Sequence, residues 1–261
     1  MAMKKVKDVI KAIEALAPLK YQDEWDNSGL QVGFPDDEVR GVLVCLDVTE
    51  EILDEAIGKG CSMVVSHHPL LFHALKQVSD VTYQQRCVTK ALRNGLTIYS
   101  AHTSLDNARG GVNYRIAELI GLRHLEWLEP KEGLDAGSGL VGELAQPVER
   151  DAFLDQLQTI FGVECLRHSD PVGAPIKKVA VCGGAGAFLM PAAIAKGADC
   201  FITGEFHYHD YFENDGMLLA ELGHYQSEKC TIDLLKEIIG KSVKDVNIIS
   251  AETNTNPIRY R

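Results

Sequence analysis

The 261-residue sequence contains no apolar run long enough to span a bilayer. Its opening segment, Met1 to Lys20, carries charges throughout and lacks the apolar stretch of a secretion signal, so a cytoplasmic protein is expected. The seven cysteines are scattered and form no CxxC pair. Cys45, Cys61, Cys182 and Cys200 lie in apolar runs and read as reduced, buried thiols. Basic charge is also scarce: the formal net charge is −11 and there is no basic stripe. Binding to a nucleic-acid backbone is therefore not expected. The Lys177-Lys178 pair and the Arg259/Arg261 tail read as solvated ends. A small anionic substrate is still compatible with this balance, because a metal ion can supply local positive charge.

What is present is an alternation of helices and strands. Val6, Val9, Ile10, Ile13 and Leu16 recur at helical spacing, with Pro18 after them. A polar turn, Trp25-Asp26-Asn27-Ser28-Gly29-Leu30-Gln31-Val32-Gly33, passes into an extended stretch. Gly41 to Leu46 reads as a buried strand. Thr49 then caps a helix with Ile52, Leu53, Ala56 and Ile57 on its inner face. Met63-Val64-Val65 is a second buried strand, Val88 to Asn94 a helix, Leu96 to Tyr99 a strand and Val112 to Ile120 a helix. The Gly-, Glu- and Pro-rich segment from Glu126 to Gly142 reads as the passage into a second unit. That unit holds a helix at Phe153 to Phe161, a strand at Val179 to Cys182, a helix at Met190 to Lys196 and a strand at Cys200 to Ile202. A helix from about Tyr225 to Ile239 and a strand at Val246 to Ser250 complete the chain. The pattern predicts an α/β protein with mixed, layered sheets. Its domains are expected at residues 1–126 plus about 229–261, and at 127–228.

The halves also match each other without a gap at an offset of 137 residues. Val42, Val44 and Cys45 align with Val179, Val181 and Cys182; Ala56-Ile57 with Ala193-Ile194; Lys59-Gly60 with Lys196-Gly197. Any two βαβ units share apolar runs, but these identities favour two related α/β domains facing each other.

The chemistry-bearing residues follow strands. His67-His68 directly follows a buried strand, where open α/β sheets bind ligands. Adjacent residues leaving a strand diverge, so two metal ions would take one histidine each. Taken alone, the pair serves equally as a strand end hydrogen-bonded to backbone. His102 and Asp106, four apart, again follow a strand, and His224 and Glu228 repeat the spacing, which puts both on one helical face. Glu205 is the second-half counterpart of His68. Nitrogen and carboxylate donors without cysteine suit zinc, iron, manganese or cobalt rather than a structural zinc. His73, His124 and His168 are isolated and read as surface or packing residues. His207 and His209 either approach the site or pack with aromatics. Gly183-Gly184-Ala185-Gly186 between strand and helix is a tight turn or a phosphate cradle, but it is not GxGxxG. Arg109 reads as a solvated loop arginine or an anion contact.

Trp25 to Gly33, Ser66-His67-His68-Pro69, Ala101 to Asp106, Thr203-Gly204-Glu205, and Gly223-His224 with Glu228 resemble the motifs of the GTP cyclohydrolase 1 type 2 family, the Nif-three-like dinuclear-metal proteins, in the same order. The resemblance runs nearly end to end, in the compact form without an inserted middle domain. It implies a metal site in the cleft between the two domains, holding two divalent ions (zinc, iron or manganese) on His67, His68, Asp106, His224 and Glu228. His102 lies beside them as an additional ligand, a supporting group, or the residue that moves protons. The resemblance also implies a ring-shaped homohexamer and a small-molecule substrate, with GTP as the candidate, whose imidazole ring is hydrolysed with release of formate. The alternatives are a metallohydrolase of another small substrate, such as a phosphoester or amide, and a nonenzymatic metal-handling or partner-binding ring.

Overall fold

The structure is a computed structural model that describes residues 3–170, 175–259 and 261. Met1 and Ala2 of the opening segment lie outside the described residues. In chain order the elements are α1 (Val6–Glu14), β1 (Gly29–Val32), β2 (Gly41–Cys45), α2 (Glu50–Gly58), β3 (Met63–Ser66), α3 (Tyr83–Arg93), β4 (Thr97–Ser100), α4 (Thr103–Asp106), α5 (Val112–Ile120), β5 (Arg123–Pro130), β6 (Gly137–Val148), α6 (Arg150–Phe161), β7 (Arg167–His168), β8 (Ile176–Cys182), α7 (Met190–Ala195), β9 (Cys200–Thr203), β10 (Leu218–Glu221), α8 (His224–Glu228), α9 (Cys230–Ser242) and β11 (Asn247–Ser250). Two compact units form. One joins Met1–Leu105 with Thr231–Pro257, and the other joins Asp106–Cys230 with Ile258–Arg261.

The first unit carries a five-stranded mixed sheet in the order β1-β4-β3-β2-β11, in which only β1 runs antiparallel. Every residue of β2, β3 and β4 is buried, so both faces of the sheet centre are covered. On one face Ile52, Leu53 and Ala56 of α2 and Cys87, Val88 and Ala91 of α3 pack with Leu43, Val64 and Ile98. Thr49 caps α2 by accepting from the Ile52 N–H. Ile57, expected on the inner face, lies in the last turn of α2 and is 39% exposed.

The second unit carries a six-stranded sheet in the order β5-β6-β8-β9-β10-β7. Strands β8, β9 and β10 are parallel, while β5, β6 and β7 pair antiparallel. Its core gathers Val141, Ala180, Phe201 and Leu219 with Leu189, Met190 and Ala193. The segment read as a passage, Glu126 to Gly142, is a strand pair, with Trp127 opposite Leu140 and Pro130 opposite Gly137. Strand β5 is an edge and mostly exposed, so it has no apolar alternation to read. Glycine at 137 is required by close approach: a methyl there would meet Glu129 O and the Trp127 ring at 2.7 Å. The single C-terminal helix expected from about Tyr225 is two, α8 and α9, separated at Lys229.

The internal match holds at the level of hydrogen-bond register. Strand β2 pairs with β3 as Val42 to Met63 through Cys45 to Ser66. Strand β8 pairs with β9 as Val179 to Cys200 through Cys182 to Thr203, the same register 137 residues later. The third strands also correspond, since Thr97 pairs with Met63 and Leu218 with Cys200. Each third strand carries an antiparallel fourth, β1 or β7. The third strands are offset by 121 residues rather than 137, which is why an ungapped comparison does not reach them.

Candidate metal centre

In the first unit the strand ends bring three histidines together. Parallel register places Ser66 beside Ser100, and their hydroxyls meet at 2.8 Å. His67 and His68 leave β3 with their N–H groups bonded to Leu46 O, while Ala101 leaves β4 with its N–H on Ser66 O. The rings of His67 and His68 then lie 4.8 Å apart, and those of His67 and His102 lie 5.2 Å apart. One ring nitrogen from each of His67, His68 and His102 falls within 4.8 Å of the others. His67 and His102 are buried, and the His68 side chain is 16% exposed.

Each ring is oriented from behind. His67 Nδ1 meets Ala101 O at 2.9 Å, His68 Nδ1 meets Asp47 Oδ1 at 2.7 Å and His102 Nδ1 meets Asp26 Oδ1 at 2.8 Å. An acceptor at Nδ1 keeps the proton there and makes Nε2 the lone-pair nitrogen, the arrangement found behind metal-ligating histidines. Asp26 is fully enclosed at its side chain and also accepts from Ser28 Oγ at 2.7 Å, Thr103 N at 3.1 Å and Thr103 Oγ1 at 2.5 Å. Burial disfavours its charge, but His102, Thr103 and Ser28 together outweigh that and hold the carboxyl well below the usual aspartate range. Asp47 behaves alike: burial opposes ionisation, and His68 and Thr255 lower its pKa all the same.

In the second unit, β9 ends into Gly204-Glu205 and β10 ends into Gly223, whose φ of 89° turns the chain into α8. His224 opens that helix. Its Nδ1 meets Glu205 Oε1 at 2.8 Å and its Nε2 meets Glu228 Oε2, one turn on, at 3.2 Å. The Glu228 side chain is 5% exposed. The glycine loop Gly183 to Gly186 lies against this pair. Gly184 adopts a φ of +62°, and a methyl on it would overlap Glu228 Oε1 and lie 3.3 Å from His224 Nε2. The loop amides bond within the protein: Gly183 N to Asn113 Oδ1, Gly184 N to Ser227 Oγ and Gly186 N to Thr203 Oγ1, each at 3.0 Å. The loop is therefore a tight turn that seats the His224–Glu228 pair, with those amides unavailable to cradle a phosphate. Asn113 also donates to Asp106 O at 3.1 Å, which ties Asp106 to the same loop.

Taken unit by unit, His67, His68 and His102 lie together in the first, and His224 lies against Glu228 in the second. Asp106 closes α4. Asp47 was missed; 21 residues separate it from His68, and no spacing rule links them. Asp26 was visible only as part of the Trp25–Gly33 motif. Glu205, the second-half counterpart of His68, stands behind His224. His73, His124 and His168 are exposed, and His209 packs with Tyr208 and Phe212. Arg109 is engaged by Asp135 and Tyr114. All seven cysteines are free thiols; Cys45, Cys61 and Cys200 are buried and Cys182 is half-buried. Among the described residues no helix is long and apolar enough to cross a membrane.

A two-unit α/β protein whose strand ends present carboxylate-backed histidines defines a class with groups suited to divalent metal ions. The chain belongs to the Duf34/NIF3 (NGG1p interacting factor 3) family, whose model matches residues 4–257. It is 33% identical to a Lactococcus lactis protein named GTP cyclohydrolase 1 type 2 homolog, over 97% of this chain and 98% of that protein. A Bacillus cereus protein related to NIF3 has the same fold, with a TM-score of 0.92 at 24% identity over the full length of both chains. A Staphylococcus aureus protein superposes with a TM-score of 0.92 at 25% identity over 99% of both.

Proposed function

We propose that this chain is a metal-dependent hydrolase that opens the ring of a purine nucleotide, GTP being the first candidate, and that His67, His68, Asp106, His224 and Glu228 hold two divalent ions. The observation that carries the reading is the backing of the histidines: each of His67, His68, His102 and His224 has its Nδ1 on a carbonyl or carboxylate acceptor, the arrangement that orients metal-ligating imidazoles. The donors are nitrogen and carboxylate oxygen without thiolate, which suits zinc, iron or manganese. When bound, such ions supply the Lewis acidity that hydrolysis at neutral pH needs.

His102 is the group that moves protons. Its Nε2 accepts a proton from the attacking water and returns it to the leaving nitrogen. Asp26 holds the Nδ1 proton and stabilises the imidazolium that forms in between. The overall change is GTP plus water giving formate and a dihydroneopterin triphosphate. The name carried by the Lactococcus lactis relative supports this substrate class, and the family resemblance supports a ring of six chains.

The test is to purify the protein metal-replete, measure metal by elemental analysis, and incubate it with GTP, other nucleotides and phosphoesters while following formate, phosphate and pterin fluorescence. The expected result is about two ions per chain and formate from GTP, with both reduced in His67→Ala and Glu228→Ala. Full metal loading without turnover of GTP would overturn the activity, and one ion or none would overturn the dinuclear centre. Sedimentation of the same sample checks the ring.

A further inference from the structure

We infer that Trp25 and Phe72 form a stacking platform that binds the flat face of the substrate's heterocycle beside His102. The inference rests on the purine-like substrate proposed above and adds the residues that select it. Both side chains are large, apolar and exposed: Trp25 by 63% and Phe72 by 41%. Single exposed apolar residues are ordinary, but these two are paired. Their rings lie 11° from parallel with centroids 6.4 Å apart. The His102 ring stands edge-on to both, 5.8 Å from Trp25 and 5.3 Å from Phe72. An aromatic surface thus borders the three-histidine cluster at the residue assigned to proton transfer.

The platform is held in place although it is exposed. Trp25 precedes Asp26, whose carboxylate is fixed by His102, Thr103 and Ser28. Phe72 follows Leu71, whose carbonyl accepts from Asn27 Nδ2 at 2.6 Å and whose N–H donates to Gln31 Oε1 at 3.2 Å. The two loops are therefore cross-braced by side chains of the same Trp25–Gly33 segment. Preordering exposed rings in this way removes the ordering cost from a ligand that stacks on them. A planar, polarisable ring is the occupant that such a surface rewards, because every heteroaromatic base offers a π-face. The carboxylates behind the histidines and the net charge of −11 give no comparable preference for a phosphate group alone.

The test is calorimetric titration of metal-replete protein with GTP, guanosine and ribose 5-phosphate, using wild type, Trp25→Ala, Trp25→Phe and Phe72→Ala, with metal content and sedimentation measured on every sample. Guanosine should bind wild type, and Trp25→Ala and Phe72→Ala should weaken guanosine and GTP by about tenfold or more, the scale of a lost base stack. Trp25→Phe should restore most of the affinity, ribose 5-phosphate should be indifferent to all three changes, and metal content should hold. Guanosine affinity unchanged in both alanine variants would overturn the platform while leaving the metal reading intact. So would an altered oligomeric state with unaltered guanosine affinity, which would assign the rings to an interface between chains. Absence of bound metal in wild type would instead sink the reading on which the platform rests.

Discussion

A histidine binds metal well only when its ring is aimed and its tautomer set, and here a neighbour does both. His68 depends on Asp47, which in turn is held by Thr255 Oγ1 at 2.8 Å. Asp47→Asn keeps the shape of the side chain and removes the charge that favours a proton on Nδ1. Metal affinity is expected to fall by about tenfold or more, the usual consequence of losing such a partner, with the circular dichroism spectrum unchanged. Competition against a chromophoric chelator measures it; affinity equal to wild type would show that Asp47 serves only to anchor Thr255.

At the scale of elements, strand ends and the first turns of helices present the candidate ligands, and the helices behind them carry stability. Helix α2 shows this in Glu55, which accepts from Glu252 N at 2.8 Å, Thr253 N at 3.0 Å and Thr253 Oγ1 at 2.6 Å, and pairs with Lys59 at 2.8 Å. Burial works against its charge, but Lys59, Thr253 and the two backbone N–H groups lower its pKa to about 2. A carboxylate lowered in the folded state stabilises fully above its unfolded pKa, and that contribution fades as the pH falls toward about 2. Wild type should therefore exceed Glu55→Gln by at most about 3 kcal/mol at neutral pH, and the gap in urea midpoint should shrink steadily below pH 4.5. A gap as large at pH 3 as at pH 7 would contradict the assignment. Most such elements were legible from apolar periodicity: β2, β3, β9, α1 and α5 lie where the pattern puts them. The edge strands β5 and β7 were not, because an exposed edge need not alternate, and β6 is broken by glycines that exist to admit Trp127 and its neighbours.

For the whole molecule, a metal that binds only the folded state must stabilise it by mass action, about 2.7 kcal/mol when free metal stands at 100 times its dissociation constant. Metal-replete protein is expected to unfold several degrees higher than chelator-stripped protein in a thermal scan. His67→Ala should lose most of that difference, whereas equal midpoints with and without metal would argue against binding. The sequence by itself determined the α/β class and the doubled strand-helix-strand pattern, and it singled out the candidate histidines and carboxylates, because buried strands and their ends leave local, periodic signals. Only the tertiary structure decided what stands behind each histidine. Asp26 reaches His102 across 76 residues, Asp47 reaches His68 across 21 and Glu205 reaches His224 across 19. Contacts of that kind are set by strand register and loop closure, which no short window of sequence contains.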